Sequence, residues 1–271
     1  MKKRIFLYIA IVLICLVAVG VGIYYVITAP QKEEGSTLTV EEQAKYDELS
    51  ENFKNLFNNA FNTNESDEGK AIKIDTSKEL IYTAYTNKDK VDNKYELNVN
   101  IPVINITGSV AAEMNAQTQK IFADKTSAIL SGTTERTIYS VEYAGYMNGD
   151  ILSLVIRSTL KEGNNAQRVI VQTYNYNMKT NSKVSFNDLL AQKGISQDVA
   201  KRRIIEEAEK ANQKNEAARK LGYTVYLRNL ADTLYLPDNT TIYFLGPDNY
   251  RYAIYAYGNN NYTSEMDVVV F

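Results

Sequence analysis

The 271-residue chain contains no histidine, and its one cysteine, Cys15, sits in an uncharged apolar run. Those two facts remove most catalytic constellations at once. A Ser–His–Asp triad, a Cys–His pair and a His-ligated zinc all need imidazole, and no disulfide can close within the chain. Two kinds of chemistry remain: a serine activated by lysine, and a pair of carboxylates. Ser158-Thr159-Leu160-Lys161 has the Ser-x-x-Lys spacing of penicillin-binding enzymes. That chemistry needs the serine at a helix start with the lysine one turn later. Here the flanking residues alternate as a strand, which turns positions i and i+3 to opposite faces. Asp188, Asp232, Glu265 and Asp267 supply carboxylates, and two suffice for glycoside hydrolysis. Nothing in their spacing brings any two together. Asp188, three residues after Ser185, fits a helix-start position.

Binding is the other use for side chains of this composition. Tyrosine is abundant, at 21 residues with no tryptophan. Tyr and Asn cluster at Tyr174-Asn175-Tyr176-Asn177 and between Tyr255 and Tyr262. Exposed rings beside amides stack on sugars or pack on proteins. The expected ligand-binding residues are Tyr174, Asn175, Tyr176, Tyr250, Arg251, Tyr255, Tyr257 and Asn259, with no catalytic residue, cofactor or metal. The competing explanation is that tyrosine is an ordinary strand residue. Asn64, Asn105, Asn239 and Asn261 fit Asn-x-Ser/Thr, a motif that carries little meaning by itself.

These residues must be held by the elements behind them, and the first is the run Ile5–Ile27. It has 23 residues without a charge, preceded by Lys2-Lys3-Arg4. A bilayer core needs about 20 apolar residues, and the basic flank sets the N-terminus inside. The run is longer than a secretory signal core, Pro30 disfavours cleavage after Ala29, and Ile14 before Cys15 disfavours lipid attachment. The expectation is a retained single-pass anchor at the cell membrane, with a cytoplasmic stub at 1–4 and everything after residue 27 extracytoplasmic. The chain carries a net charge of −2, and without its basic N-terminus the remainder is more acidic still. That argues against nucleic acid as a partner.

Residues 28–69 read as a linker and juxtamembrane helix, roughly 40–61, with an apolar stripe of Tyr46, Leu49, Phe53, Leu56, Phe57 and Ala60. The stripe is expected to pack on the domain behind it. Strand patterns fall at 71–74, 80–86 and 95–103, then a helix at 109–130. A meander follows at 137–147, 151–160 and 168–178, with turns at Asn148-Gly149-Asp150 and Gly163-Asn164-Asn165. Ser185 and Ser196 cap two helices, the second ending before Gly222. Strands are expected again at 223–227, 234–236, 241–245, 252–257 and 267–271. The fold class is α+β: a transmembrane helix, then antiparallel sheets packed with helices in two subdomains, 70–132 and 133–271.

Three stretches carry a family resemblance over about residues 70–271. They are Pro102-Val103-Ile104 with Ala112 and Asn115; Ile151–Leu154 with Asn175–Asn181 and Phe186–Leu190; and Tyr250–Gly258. They resemble the extracytoplasmic module of lysozyme-sensing anti-sigma-V-type factors, a module also found beside some peptidoglycan deacetylases. The resemblance implies an envelope binding module whose ligand is a cell-wall glycan or a lysozyme-like protein. The family has Gly where Asn181 stands, and both tolerate positive φ. It has Pro-Tyr-Glu where Asn249-Tyr250-Arg251 stands, so Arg251 inverts a charge. Met1–Arg4 is expected to be too short for an anti-sigma segment, and the metal-binding histidines of a deacetylase are missing. The expected function is therefore a membrane-anchored binding module without effector. The alternatives are a glycan-acting enzyme with paired carboxylates, or an accessory subunit contacting a membrane-protein partner.

Overall fold

A computed structural model describes residues 38–56, 80–259 and 262–271. The anchor expected at 5–27, the strand at 71–74 and the end of the juxtamembrane helix lie outside these residues. Among the described residues no helix is long and apolar enough to cross a membrane.

The meander sets the frame. β3 (Thr137–Asn148), β4 (Ile151–Glu162) and β5 (Arg168–Asn177) pair antiparallel in unbroken register. Asn148 pairs with Ile151 across a two-residue turn in which Gly149 takes φ 57°, a conformation glycine reaches without steric cost. β1 (Ile81–Val91) and β2 (Tyr95–Ile104) form a second hairpin, and β6 (Ser182–Lys183) adds a short edge, giving the order β1-β2-β3-β4-β5-β6. Contrary to the all-antiparallel expectation, β2 and β3 run parallel, Tyr95 to Val99 against Thr137 to Val141. Parallel neighbours need a crossover, and the helical segment 109–131 supplies it. The expected subdomain division at 132/133 thus falls inside one sheet, and Val40–Phe271 forms one compact unit.

That crossover is α2 (Ser109–Thr118), a π-helical turn at Gln119–Ala123, and α3 (Asp124–Ser131). Met114, Phe122 and Ile129 are all buried. The π turn at Gln119–Ala123 admits one extra residue into the helix between Met114 and Ile129. These side chains cover one face of the large sheet, against Leu152, Leu154 and Ile156.

The opposite face carries Val155 and Val171, which pack on a three-stranded sheet of β7 (Tyr243–Leu245), β8 (Arg251–Asn259) and β9 (Tyr262–Val270). The far side of that sheet is closed by α4 (Phe186–Gln192) and α5 (Gln197–Lys220) through Phe186, Ala200, Ile204 and Ala208. The layers run helix, sheet, sheet, helix, an α+β arrangement of sheets packed with helices. Helix α1 (Val40–Leu56) lies against β9. Of the expected stripe, Tyr46 and Leu49 pack on the second core.

Two expected strands are absent. Residues 223–229 have no ladder, and Thr233–Tyr235 is a 3₁₀ turn. Side chains replace the ladder. The Asn212 amide brackets Arg228, donating to its carbonyl and accepting from its N–H at 2.9 and 2.7 Å, and Asn215 Nδ2 donates to the Tyr226 carbonyl at 2.8 Å.

Candidate functional site

Alternation along β9 puts Glu265 and Asp267 on one face, toward α5 and the segment 226–228. Both acids meet Arg228. Its Nε and Nη2 donate to the two Asp267 oxygens at 2.9 and 2.7 Å, and Nη1 lies 2.7 Å from Glu265 Oε2. Asn215 Nδ2 donates to the same glutamate oxygen at 2.7 Å. The guanidinium rests 4.7 Å from the Tyr257 ring centroid, and Tyr226 stacks on that ring at 5.1 Å. Burial opposes the Arg228 charge, but Asp267 and Glu265 outweigh it and hold its pKa above the ordinary value. Paired carboxylates therefore do converge, and one buried arginine occupies both. The cluster fastens α5, the 226–228 segment, β8 and β9 together. Arg228 and Asn215 carried no signal in the sequence, and the expected strand began only at 267, so the shared face of Glu265 and Asp267 was missed; their i, i+2 spacing was the signal that could have found it.

The other acids are capping groups. Ser185 Oγ accepts from the Asp188 N–H, while Asp188 Oδ2 accepts from the Ser185 N–H and hydroxyl at 3.0 and 2.6 Å. Those bonds hold the Asp188 carboxyl below its usual range. Asp232 caps the 3₁₀ turn through Leu234 N–H at 2.9 Å. Ser158 is buried within β4 while Lys161 lies at its end, an odd number of residues away and on the other face.

The tyrosine–asparagine clusters correct the expectation of an exposed binding surface. Tyr174, Asn175, Tyr176, Arg251, Tyr255 and Tyr257 are each at most 6% exposed. Tyr174 accepts from Thr118 at 3.2 Å, Tyr176 donates to Asn181, and the hydroxyls of Tyr255 and Tyr257 bond Thr240 and Tyr235, each at 2.9 Å. Burial drives the Tyr255 and Tyr257 phenols well above their ordinary pKa. A buried hydroxyl needs an internal partner, and each of these has one. The Asn175 amide accepts from Ser153 at 2.7 Å and donates to the Tyr243 carbonyl at 2.7 Å, joining the two sheets. Asn259 ends β8 opposite Tyr262. Tyr250 stays half-exposed, with Lys193 Nζ 5.0 Å from its ring and Tyr46 edge-on at 5.9 Å. Asn181 takes φ 56°, as expected of a position open to glycine.

An opening that the sequence did not reveal lies at the other end of the large sheet. It is a groove of about 400 Å³ between α3, the loop leading into β3 and the β4–β5 turn. Lys125, Ala128 and Ile129 line one wall; Thr133, Thr134, Glu135 and Thr137 the second; Glu162 and Asn165 the third. Lys125 Nζ bonds Glu162 Oε1 at 2.7 Å. Hydroxyls, carboxylates, an amide and an ammonium thus share the groove with the apolar Ala128 and Ile129. That chemistry can hydrogen-bond a hydroxylated ligand. Among the described residues no group of His, Cys, Asp and Glu is placed to hold a metal.

These features define an α+β protein whose buried polar clusters join its own elements. No protein-family model matches the chain, and no curated protein does. Among solved structures it is similar to a DUF3298 family protein from Pseudomonas aeruginosa PAO1, at 11% identity and a TM-score of 0.40, over 70% of this chain and 86% of that one. It is also similar to a member of the same family from Bacteroides fragilis NCTC 9343, at 10% identity and a TM-score of 0.28, over 64% and 80% of the two chains.

Proposed function

We propose that the chain is a membrane-anchored, extracytoplasmic binding module of the bacterial envelope, without catalytic activity, whose ligand is a cell-wall glycan or a wall-lytic enzyme such as lysozyme. One observation carries the non-catalytic part. Of the four acids singled out in the sequence for glycoside chemistry, Glu265 and Asp267 are occupied by Arg228 and Asp188 and Asp232 cap helical turns, while in the groove Glu162 is paired with Lys125, so Glu135 has no free carboxylate beside it among the lining residues. A general acid must instead be free to release its proton to a leaving group. The anchor rests on the uncharged run Ile5–Ile27 behind Lys2-Lys3-Arg4. The glycan rests on the groove, whose Thr133, Thr134, Glu135 and Asn165 match a polyol's donors and acceptors and whose Ile129 and Ala128 match an acetamido methyl.

The test is retention of the full-length chain, in non-ionic detergent, on purified peptidoglycan and on immobilised lysozyme. Retention on peptidoglycan that Glu135→Ala with Asn165→Ala weakens is the glycan outcome. Retention on lysozyme alone moves the ligand to the protein. Retention on neither, or release of soluble sugar by the wild-type chain, overturns the reading.

A further inference from the structure

A second polar site lies where α1, the end of α4, α5 and β8 meet, and it is built from positive charge. Lys193 follows α4, Arg203 stands in the second turn of α5, and Arg251 opens β8. Tyr46 of α1 lies between the first two, with Lys193 Nζ 5.7 Å and Arg203 Cζ 5.6 Å from its ring centroid. Arg251 is 2% exposed, and its guanidinium donates to the main-chain carbonyls of Leu189 and Asn249 rather than to a carboxylate. Arg203 Nε and Nη1 are buried with no hydrogen-bond partner among the described residues. Burial, then the charges of Arg251 and Arg203, lower the Lys193 pKa, with Glu42 acting against them.

Three clustered cations cost energy that Glu42 and the Tyr46, Tyr250 and Phe271 rings only partly recover. A cation over a tyrosine face gains about 0.5–1 kcal/mol at exposed sites. A buried guanidinium donor left unbonded forgoes considerably more. An anion bridging Lys193 and Arg203 would offset both costs. Carboxylates are planar, with two oxygens. Donors arriving from three separate elements suit the spread oxygens of a tetrahedral oxyanion better, and a guanidinium fork with an ammonium is a common phosphate-binding pair.

We propose that Lys193 and Arg203, backed by the buried charge of Arg251 and flanked by the Tyr46 and Tyr250 rings, form a binding site for a phosphate ester. The site is separate from the glycan groove and does not depend on it. Lys193 is exposed and receives the ligand first; Arg203 engages as the Tyr46 ring yields its face.

Titration calorimetry on the full-length chain in non-ionic detergent tests this, with inorganic phosphate and glycerol phosphate as probes and acetate and chloride at matched ionic strength as controls. Saturable binding of the two phosphates, weakened about tenfold or more by Lys193→Gln and by Arg203→Gln, is expected. Arg203→Lys should recover part of the loss. Lys210→Gln, on the same helix but outside the cluster, should change nothing. Far-UV circular dichroism confirms that each variant is folded. An equal response to acetate or chloride, no saturation by either phosphate, or undiminished affinity in folded Lys193→Gln overturns the proposal. Retention of Lys193→Gln on peptidoglycan, measured alongside, separates failure of this site from failure of the glycan reading.

Discussion

Single residues here act chiefly as fasteners, and their worth follows from what each leaves behind when removed. Arg228 is the clearest case, because its loss strands two carboxylates, one of them buried. Breaking a buried ion pair from one side costs about 3–5 kcal/mol. Arg228→Ala should lower unfolding stability by that order in urea titrations, and Asp267→Asn by less, since Glu265 still pairs. Glu142 behaves differently. It faces Arg157 across β3 and β4, yet burial pushes its carboxyl up from 4.5 to about 7 despite that arginine. The folded state therefore holds a proton that the unfolded chain releases. Stability falls as pH rises from about 4.5 through about 7 and is level above. Asp188 has the opposite sign, because its folded pKa is depressed from 3.8; its contribution is lost only at lower pH. Urea midpoints between about pH 5 and about pH 8 isolate Glu142. Glu142→Gln should flatten that slope, and a slope unchanged by it would assign the dependence elsewhere.

Elements were legible where one local rule decided them. Ser185 and Ser196 capped the expected helices, and the alternation of Leu152, Leu154, Ile156 and Leu160 fixed the register of β4. The misses share a physical cause. Segment 223–229 has a strand's composition, but Asn212 and Asn215 reach its backbone groups from the preceding helix, and Arg228 bonds the Tyr226 carbonyl from within the segment. The parallel pairing of β2 with β3 also depends on a contact made across a whole helical crossover. The tyrosine clusters misled for a third reason. A tyrosine on a strand of a two-sheet core reads the same as one on a surface until the second sheet is placed. Asn175 shows what that placement does: with Ser153 and Thr173 it serves the outer edge of β7, since Tyr243 N–H donates to Thr173 at 3.0 Å and Leu245 N–H to Ser153 at 3.1 Å. Edge strands leave a row of unpaired backbone groups, and these three side chains satisfy it. Asn175→Ala leaves the Tyr243 carbonyl and the Ser153 hydroxyl short of a partner, an expected loss of about 1–3 kcal/mol. Calorimetric unfolding of the variant checks it.

The same seam decides how the whole molecule unfolds. A division into two subdomains at 132/133 would give two transitions, because each half would own a core. The large sheet instead spans that point through β2 and β3, and its second face forms a shared core with β7, β8 and β9. Polar bonds repeat the coupling at both ends: Asn148 Nδ2 donates to the Gly246 carbonyl at 3.0 Å, and Val169 N–H donates to Ser264 Oγ at 3.0 Å. Neither sheet can lose the other without exposing Val155, Val171, Ile254 and Val268 together. Two-state unfolding is the rule for domains smaller than this one, so here it rests on that shared core rather than on size. Tyr139 and Tyr174 report on the core under α2 and α3, while Tyr235 and Tyr255 report on the core under α5. Near-ultraviolet tyrosine dichroism, which samples both cores, should therefore follow the same urea curve as far-ultraviolet ellipticity. Amide exchange in β4 and in β8 should converge on one opening free energy. Two separated transitions, or exchange in β8 well ahead of β4, would mean that the helix-backed small sheet is a folding unit of its own and that the shared core does not couple them.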